Sequence, residues 1–298
     1  MLRAMTMMTL MPITRSRTTS CGRHAWRFAC AAAAALSAEP LLAETEESAD
    51  TSANQATAEQ AAEVKSVVGA LALYRPEYLG GEDYELTALP FLDLQYNQYF
   101  LNPINGAGVG IRPVKALTIG LGLGYAFGRD EDDGDRLEGL DDIDGGAKLN
   151  FFADYKFRVE NLGGLLNAGY TLGLSVDHQI SGSNTGVSGD ISLSRSDRLG
   201  ERFLLINGVS ANFGSASFQE AWFGISERQS INSGLPAYDS DDSFHAAGVS
   251  SRLLYFITRE LNLITAISYQ QLIGDAGDSP VVESQDQISY QLGFSYAL

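Results

Sequence analysis

The fold is decided by residues 117–128, LTIGLGLGYAFG, in which two kinds of side chain alternate without a break. The odd-numbered positions are large and apolar, while the even-numbered positions hold four glycines, a threonine and an alanine. A period of two indicates a β-strand with two different faces. Because the outward face of a soluble sheet would carry charged or hydroxylated side chains, this pattern predicts a strand of a transmembrane β-barrel. We expect the apolar side chains to face lipid and the glycines to face a crowded lumen.

The same alternation returns in residues 147–158, 165–176 and 288–298. In the first of these segments the apolar positions alternate with a polar set that includes Lys148, Asp154, Lys156 and Arg158. We predict that these four side chains line the lumen. The last segment is similar to the C-terminal signal that the barrel-assembly machinery recognises, although it ends on Leu298 where an aromatic residue is usual.

A helical membrane protein is excluded for the chain after residue 43. No uninterrupted apolar run there is longer than five residues, Leu253 to Ile257 being one, whereas a membrane-spanning helix needs about 20. A bilayer offers no hydrogen bonds to a backbone, so the remaining way to span it is a sheet closed on itself. The predicted fold class is therefore an all-β, antiparallel, up-and-down β-barrel of the bacterial outer membrane, over residues 66–298.

The sequence predicts the number of strands less directly than it predicts the fold class. Thirteen segments have a strand pattern: residues 67–75, 84–94, 98–102, 106–112, 116–128, 145–158, 164–177, 187–194, 202–213, 218–225, 247–258, 261–271 and 286–298. Bacterial barrels have an even number of strands, so about twelve are expected, with about ten or fourteen as alternatives. If residues 202–213 and 247–258 are successive strands, residues 214–246 form one long outer loop. The alternative keeps 218–225 as a strand and removes another segment.

The long loop is predicted to fold inward or across the barrel mouth. Loops of this length are usually functional lids or disordered segments, and this one is not composed like a disordered segment. It carries Trp222, Phe223 and Tyr238, too much apolar surface to leave in water, and Pro236 follows a glycine in a defined turn. These four residues are the candidate plug.

Two segments precede the barrel. Residues 1–43 hold five arginines and a short apolar run from Phe28 to Leu36, which predicts a cleavable signal peptide, here with an imperfect cleavage site after Ala43. A membrane anchor is the alternative, but the run is too short for it. Residues 44–65 lack aromatic residues and predict a disordered acidic periplasmic tail, or a short solvated helix.

The charge of the chain bears on its possible partners, and its cysteine content bears on disulfide formation. Without residues 1–43 the chain keeps 15 basic and 36 acidic side chains, a net formal charge of −21, which makes nucleic acid an improbable partner. Both cysteines, Cys21 and Cys30, lie in the predicted leader. The rest of the chain therefore has no thiol and forms no disulfide in an oxidising compartment.

No catalytic, cofactor or metal site is predicted. Asp177 and His178 are neighbours on a strand and should point to opposite faces, so they cannot act together as a catalytic pair. His245 is expected to be a polar loop residue. The acid-rich stretch at residues 129–146 departs from the register of a calcium loop and is expected to be a solvated loop.

Several motifs give the chain a family resemblance. They are YRPEYLGGEDYELTALPFLD at residues 74–93, GLGYAFGRDEDD at 122–133, RLEGLDDID at 136–144, WFGIS at 222–226, SGLPAYDS at 233–240 and LIGDAGDSPVV at 272–282. Together they resemble the MipA/OmpV outer-membrane proteins over roughly residues 68–298. The acid-rich tail and the terminal Leu298 depart from the family pattern.

The resemblance implies a function that the residues alone do not. Its best-known member is a scaffold between a lytic murein transglycosylase and a peptidoglycan-synthesising penicillin-binding protein, whereas other members look like pores or adhesins. We therefore expect a non-enzymatic scaffold or binding protein of envelope and peptidoglycan biogenesis, with a narrow solute pore or a surface adhesin as alternatives. The expected partners are outer-membrane lipid, lipopolysaccharide, the assembly machinery, and a murein hydrolase and synthase.

Overall fold

A computed structural model describes residues 64–159, 168–183, 186–241 and 243–298. Within this part of the chain, twelve antiparallel strands form one closed barrel, which confirms the predicted fold class and strand number. The strands are β1 (Val64–Pro76), β2 (Tyr84–Tyr96), β3 (Tyr99–Asn102), β4 (Gly106–Val114), β5 (Leu117–Ala126), β6 (Gly146–Val159), β7 (Ala168–Gln179), β8 (Val187–Leu199), β9 (Phe203–Gly214), β10 (Phe244–Phe256), β11 (Leu261–Leu272) and β12 (Asp286–Ala297). The predicted leader and nearly all of the predicted tail lie outside the described residues.

Each strand pairs with its neighbours in the sequence, and β1 pairs with β12 from Val67 opposite Ala297 to Tyr74 opposite Tyr290. That last pairing closes the barrel. In the described part of the chain, short turns at residues 97–98, 115–116, 200–202 and 257–260 join strands at one end, while the connections that include residues 77–83, 127–145, 215–241 and 273–285 extend from the other. Short turns are periplasmic and long loops are external in bacterial barrels, so the long-loop end is the outer end.

The connection between β9 and β10 is one long outer loop, as expected, and the alternative that made residues 218–225 a strand is wrong. Residues 218–225 fall mostly within helix α1 (Ala216–Phe223), which is followed by α2 (Glu227–Ser233) and, between β11 and β12, by α3 (Gly274–Asp278). Helix α1 is capped at both ends: the hydroxyl of Ser215 accepts a bond from the Phe218 amide, and Gly224 ends the helix. At the other boundary, β1 begins at Val64 and so includes the last two residues of the predicted tail.

The glycine face of β5 makes room for aromatic rings inside the barrel. A Cβ atom on Gly120 would overlap the ring of Phe152, and one on Gly122 would overlap the backbone carbonyl of Asn105. The rings of Phe100 and Phe152 meet edge to face, with centroids 5.6 Å apart. The bare face of residues 117–128 is therefore a packing surface for side chains from neighbouring strands.

The outer wall of the barrel carries two belts of aromatic side chains. One lies near the outer loops and the other near the short turns, where Tyr and Phe rings stack between adjacent strands. The belt near the outer loops includes Tyr74, Tyr84, Tyr125, Phe213, Phe244 and Tyr290, and the other includes Tyr96, Tyr99, Tyr155, Phe157, Tyr170, Phe203, Tyr255 and Tyr296. Between the belts most outward side chains are apolar and exposed, as the hydrocarbon layer requires, and Asn207 on β9 is a polar exception.

Among the described residues, no helix is both long and apolar enough to cross a membrane. The three helices are short, and the two clusters of buried apolar side chains lie largely in the outer loops. The compact hydrophobic core of this protein is therefore at the outer mouth of the barrel.

We predict that Gly122→Val impairs assembly, since the new side chain meets the Asn105 carbonyl and the Phe100 ring. Overpacking of this kind costs about 1–3 kcal/mol. The measurement is the fraction of protein whose migration in detergent gels changes on boiling. Gly169→Val is the matched control, because a Cβ there meets no atom within 4 Å. Equal folded fractions for the two variants would contradict the packing role of the glycine face.

Candidate functional site

The lumen holds one large cavity of ≈ 2620 Å³ whose lining is drawn from all twelve strands and from the outer loops. The four side chains that the sequence analysis assigned to the lumen, Lys148, Asp154, Lys156 and Arg158, all lie in this lining. They share one face of β6, because successive residues of a strand point to opposite sides. The cavity is the candidate functional site.

Charges in the upper half of the cavity are paired. The Nζ atom of Lys148 lies 2.7 Å from Oδ2 of Asp177, and the amide of Asn150 donates to Oδ1 of the same carboxylate at 2.8 Å. On the opposite wall, Nη2 of Arg75 lies 2.7 Å from Oε1 of Glu85. These pairs fix side chains across neighbouring strands and leave the upper lumen with little net charge.

The periplasmic end of the lumen is different, because basic side chains predominate there. Seven of them line the cavity near the short turns, and we call this set the basic rim: Lys65, Arg112, Lys156, Arg158, Arg198, Arg202 and Arg259. The acidic lining side chains at or near this level are fewer: Asp93, Asp154 and Glu201. The rim therefore has a positive charge in a protein whose formal net charge is −17.

The outer mouth is covered by interlocking loops, which we call the outer cap: residues 77–83, 127–145, 215–243 and 273–285. The cap has two apolar clusters. One contains Tyr78, Leu137, Leu140, Ile225 and Val281, and the other contains Phe223, Ala246, Leu272 and Ala276. Because each cluster joins several loops, the cap is a packed unit and not a set of separate loops.

Polar contacts also join the cap. The guanidinium of Arg129 donates to the Trp222 carbonyl at 2.9 Å, and the Tyr78 hydroxyl reaches Oε2 of Glu283 at 3.0 Å. Burial lowers the pKa of Arg129 to about 10, since little water reaches its charge. Burial, and then the charge of Glu283, raise the pKa of Tyr78, so its hydroxyl stays protonated as a donor.

The four candidate plug residues occupy different places within the cap. Trp222 lines the cavity from above, Phe223 is completely buried, Tyr238 is half-buried and donates to the Asp275 carbonyl at 2.8 Å, and Pro236 is exposed. Trp222 and the neighbouring Phe218 form part of the roof of the cavity. The long loop thus lies over the mouth, with its helices packed on the other outer loops.

Two buried polar residues of the cap were missed by the sequence analysis. His245 is not a loop residue: it lies at the start of β10, is buried, and has its Nδ1 atom 3.2 Å from Nε2 of Gln219. Gln219 also contacts the Ser243 carbonyl at 3.4 Å. Simple alternation along residues 244–256 would place His245 on the outward face with Val249. A register shift between Phe244 and Ala246 turns it toward the lumen, and the sequence carries no signal for that shift.

The other titratable candidates form no catalytic arrangement. Asp177 faces the lumen and binds Lys148, whereas His178 is exposed on the opposite face of β7, as its position on a strand predicts. In the acidic loop, Glu131 and Asp133 accept bonds from backbone amides of the same loop. Among the described residues, no three His, Cys, Asp or Glu side chains come together in a way that could hold a metal ion.

Arg252 is the most isolated charge in the lumen. It lies on the inner face of β10, is 5% exposed, and makes no hydrogen bond or ion pair with any residue that the structure describes. Its Nε and Nη2 atoms are buried without a partner. A buried charge without a compensating partner is destabilising, so Arg252 lowers the free energy of unfolding.

The barrel, its two aromatic belts and its polar lumen define a class of protein, the bacterial outer-membrane β-barrel. The family model described as "MltA-interacting protein MipA" matches residues 68–298. The chain belongs to this family and is an outer-membrane protein.

A relative in Escherichia coli (strain K12), "Putative outer membrane protein YiaT", is 25% identical over 114 residues. This match covers 38% of the present chain and 46% of YiaT, so it spans about half of that relative. Among solved structures, the NanC porin has a TM-score of 0.42 at 10% identity and covers 78% of this chain and 100% of its own. The channel DcaP of Acinetobacter baumannii has a TM-score of 0.38 at 8% identity, with 80% and 97% covered.

We predict that Phe223→Ala loosens the outer cap while the barrel stays folded. Removing a fully buried phenylalanine costs about 3–5 kcal/mol, and this cost falls on the cap. Limited proteolysis after Arg228, an exposed residue of α2, measures the loosening. The control is Ile231→Ala in the same helix, where the side chain is 83% exposed and cleavage should not change. Equal cleavage of both variants would show that the cap does not depend on this cluster.

We also predict that Arg252→Met stabilises the protein, by about 1 kcal/mol or more, since it removes an uncompensated charge and keeps most of the side-chain volume. The denaturant midpoint of unfolding in detergent micelles is the measurement. Arg158→Met, at an exposed position of the basic rim, should leave the midpoint where it is. A lower midpoint for Arg252→Met would mean that the charge is compensated in solution.

Proposed function

We propose that the protein is a non-enzymatic docking protein of the outer membrane, whose periplasmic end binds proteins of envelope and peptidoglycan biogenesis. The observation that carries this proposal is the asymmetry of the two barrel ends. A packed cap covers the outer end, while the periplasmic end presents the basic rim to the cavity. A cup of this kind suits the binding of acidic surfaces from the periplasm.

The family name agrees with such a role. It describes a protein that interacts with MltA, and a scaffold that joins a murein hydrolase to a murein synthase needs no chemistry of its own. A site for catalysis would need a nucleophile or an activated water beside an oriented base. The lumen instead presents ion pairs that are already satisfied, such as Lys148 with Asp177.

A narrow, cap-gated pore for small solutes is the second candidate, and the volume of the lumen favours it. A cavity of ≈ 2620 Å³ with a polar lining can hold solutes and water, whereas an eight-stranded barrel is filled by its own side chains. The proposed pore would be closed by the outer cap in the state described here, and its basic rim would favour anions.

The docking role predicts that charge reversal at the rim abolishes partner binding. We expect the Lys156→Glu, Arg158→Glu double variant to lose crosslinking to purified periplasmic murein hydrolase of the MltA type, because opposite charges steer and hold such complexes. The matched control is Lys148→Gln, Asp177→Asn, which changes a paired site in the upper lumen. Crosslinking that survives charge reversal, or that is absent from the wild type, would contradict docking at the rim.

The pore candidate predicts a conductance that depends on the cap. In planar bilayers we expect the wild type to be closed for most of the time and a variant without residues 226–242 to conduct steadily, with anions preferred over cations. Steady conductance by both proteins would show that the cap does not gate the lumen. Failure of both to conduct, with the deletion variant folded, would remove the pore candidate and leave the docking role.

A further inference from the structure

The barrel wall is thin at one place because β3 has only four residues, Tyr99–Asn102. On its β3 side, β2 is paired at Leu94–Tyr96, and strand pairing in the described part of the chain does not continue over Tyr84–Leu92. Across the gap, the pairing of β4 with β5 ends at Ala107 opposite Leu123. We call this gap the lateral seam; it lies between Tyr84–Leu92 and the upper end of β5, above the turn at residues 103–105.

The length and width of the lateral seam follow from the strand segments that are missing above the turn between β3 and β4. The nine residues Tyr84–Leu92 of β2, which lack a strand partner on this side, extend over roughly 30 Å, and the two absent strand halves would each occupy about 4.8 Å of the circumference. Seams of that length are unusual in a barrel, because closure is what removes sheet edges. The seam is therefore a feature that needs an occupant or an aqueous contact.

Hydrogen-bond directions show which backbone groups face the lateral seam. The Gly110 amide donates to the Gln98 carbonyl at 2.7 Å, so Tyr99 directs its own backbone groups to β2 and meets Tyr96 there. Residues of a strand alternate, so the even-numbered residues of β2 point their N–H and C=O groups toward the seam. Pro90 is one of these even-numbered residues. It has no N–H, so this proline lies at an edge position where no partner strand needs a donor.

The lateral seam lies at membrane depth. Tyr84, at the upper end of β2, stacks on Tyr74 in the aromatic belt near the outer loops, and Tyr96 belongs to the other belt. Between them the side chains on the outer face of β2 are apolar or small and exposed: Leu86, Ala88, Pro90 and Leu92. The gap therefore opens to the hydrocarbon layer and not to the water on either side.

Behind the lateral seam the lumen is apolar, in contrast to its polar remainder. Phe91, Phe100 and Phe152 line the cavity here, and the rings of Phe100 and Phe152 are 5.6 Å apart. Glycines of β4 and β5 form the wall against which Phe100 lies. A lumen filled only with water would gain nothing from three exposed phenylalanine rings.

We propose that the lateral seam is an entrance from the bilayer to the lumen, through which the acyl chain of a membrane lipid lies against Phe91, Phe100 and Phe152. An acyl chain matches the apolar rings on the inside and the apolar flank of β2 on the outside. Water and polar side chains of the cavity can then serve the unpaired backbone groups of β2. A strand from another protein is a poorer match, since Pro90 lacks a donor in the middle of the edge.

Tryptophan quenching by brominated lipid tests the entrance directly. The full chain has two tryptophans, so a background of Trp26→Phe and Trp222→Phe leaves none, and Phe100→Trp then places one reporter in the lumen behind the seam. The protein is reconstituted in vesicles of dioleoylphosphatidylcholine or of phosphatidylcholine brominated on its acyl chains. We expect brominated vesicles to cause a loss of Phe100→Trp fluorescence close to that of Leu121→Trp, which faces lipid on β5.

The negative control is Ile206→Trp, a lumen position on β9 across the barrel, where no loss is expected. An unquenched Phe100→Trp beside a quenched Leu121→Trp would overturn the proposal, whether the wall is closed or another strand covers the edge. If Phe100→Trp does not fold, Phe152→Trp reports from the neighbouring ring with the same expected loss. The quenching result depends neither on conductance nor on protein partners. A failure of this proposal can therefore be distinguished from a failure of the proposed function.

Discussion

A bilayer cannot accept or donate hydrogen bonds, and that constraint governs the rest of this structure. Backbone groups at membrane depth need partners in neighbouring strands, so the sheet has to return to its first strand; the lateral seam beside β2 is the exception among the described residues. The pairing of β1 with β12 supplies that return. Closure in turn fixes two faces for every strand, and the alternation of side chains follows from it.

Closure leaves a barrel of twelve strands with an interior too wide for its own side chains to fill. The protein resolves this in two ways. Along β4 and β5, glycines let the rings of Phe100 and Phe152 lie flat against the wall. At the outer mouth, four loops build a cap with its own apolar clusters. Packing is thus concentrated on one wall and at one end, and the rest of the lumen is a large cavity with many polar side chains in its lining.

Charge is distributed as unevenly as packing. The chain is acidic as a whole, and many of its acids lie in the outer loops, where Glu131 and Asp133 accept bonds from loop backbone amides. Basic side chains collect at the opposite end, near the short turns. The field inside the lumen therefore changes along the barrel axis. A partner or solute from the periplasm meets positive charge first, while the outer surface offers negative charge.

The sequence by itself determined the fold class, the strand boundaries to within a few residues and the inward set on β6, because a period of two leaves little choice of face. It left loop and strand as alternatives for residues 218–225 and did not predict the helix that forms there, which is capped at Ser215 and Gly224. Only tertiary structure decided that Arg129 meets the Trp222 carbonyl and that Phe223 packs on His245 at the outer mouth, since residues distant in sequence come together there. The sequence also did not predict the isolation of Arg252 or the lateral seam beside β2. The first depends on the absence of an acidic partner for Arg252 among the described residues of neighbouring strands, and the second on the shortness of β3 next to β2.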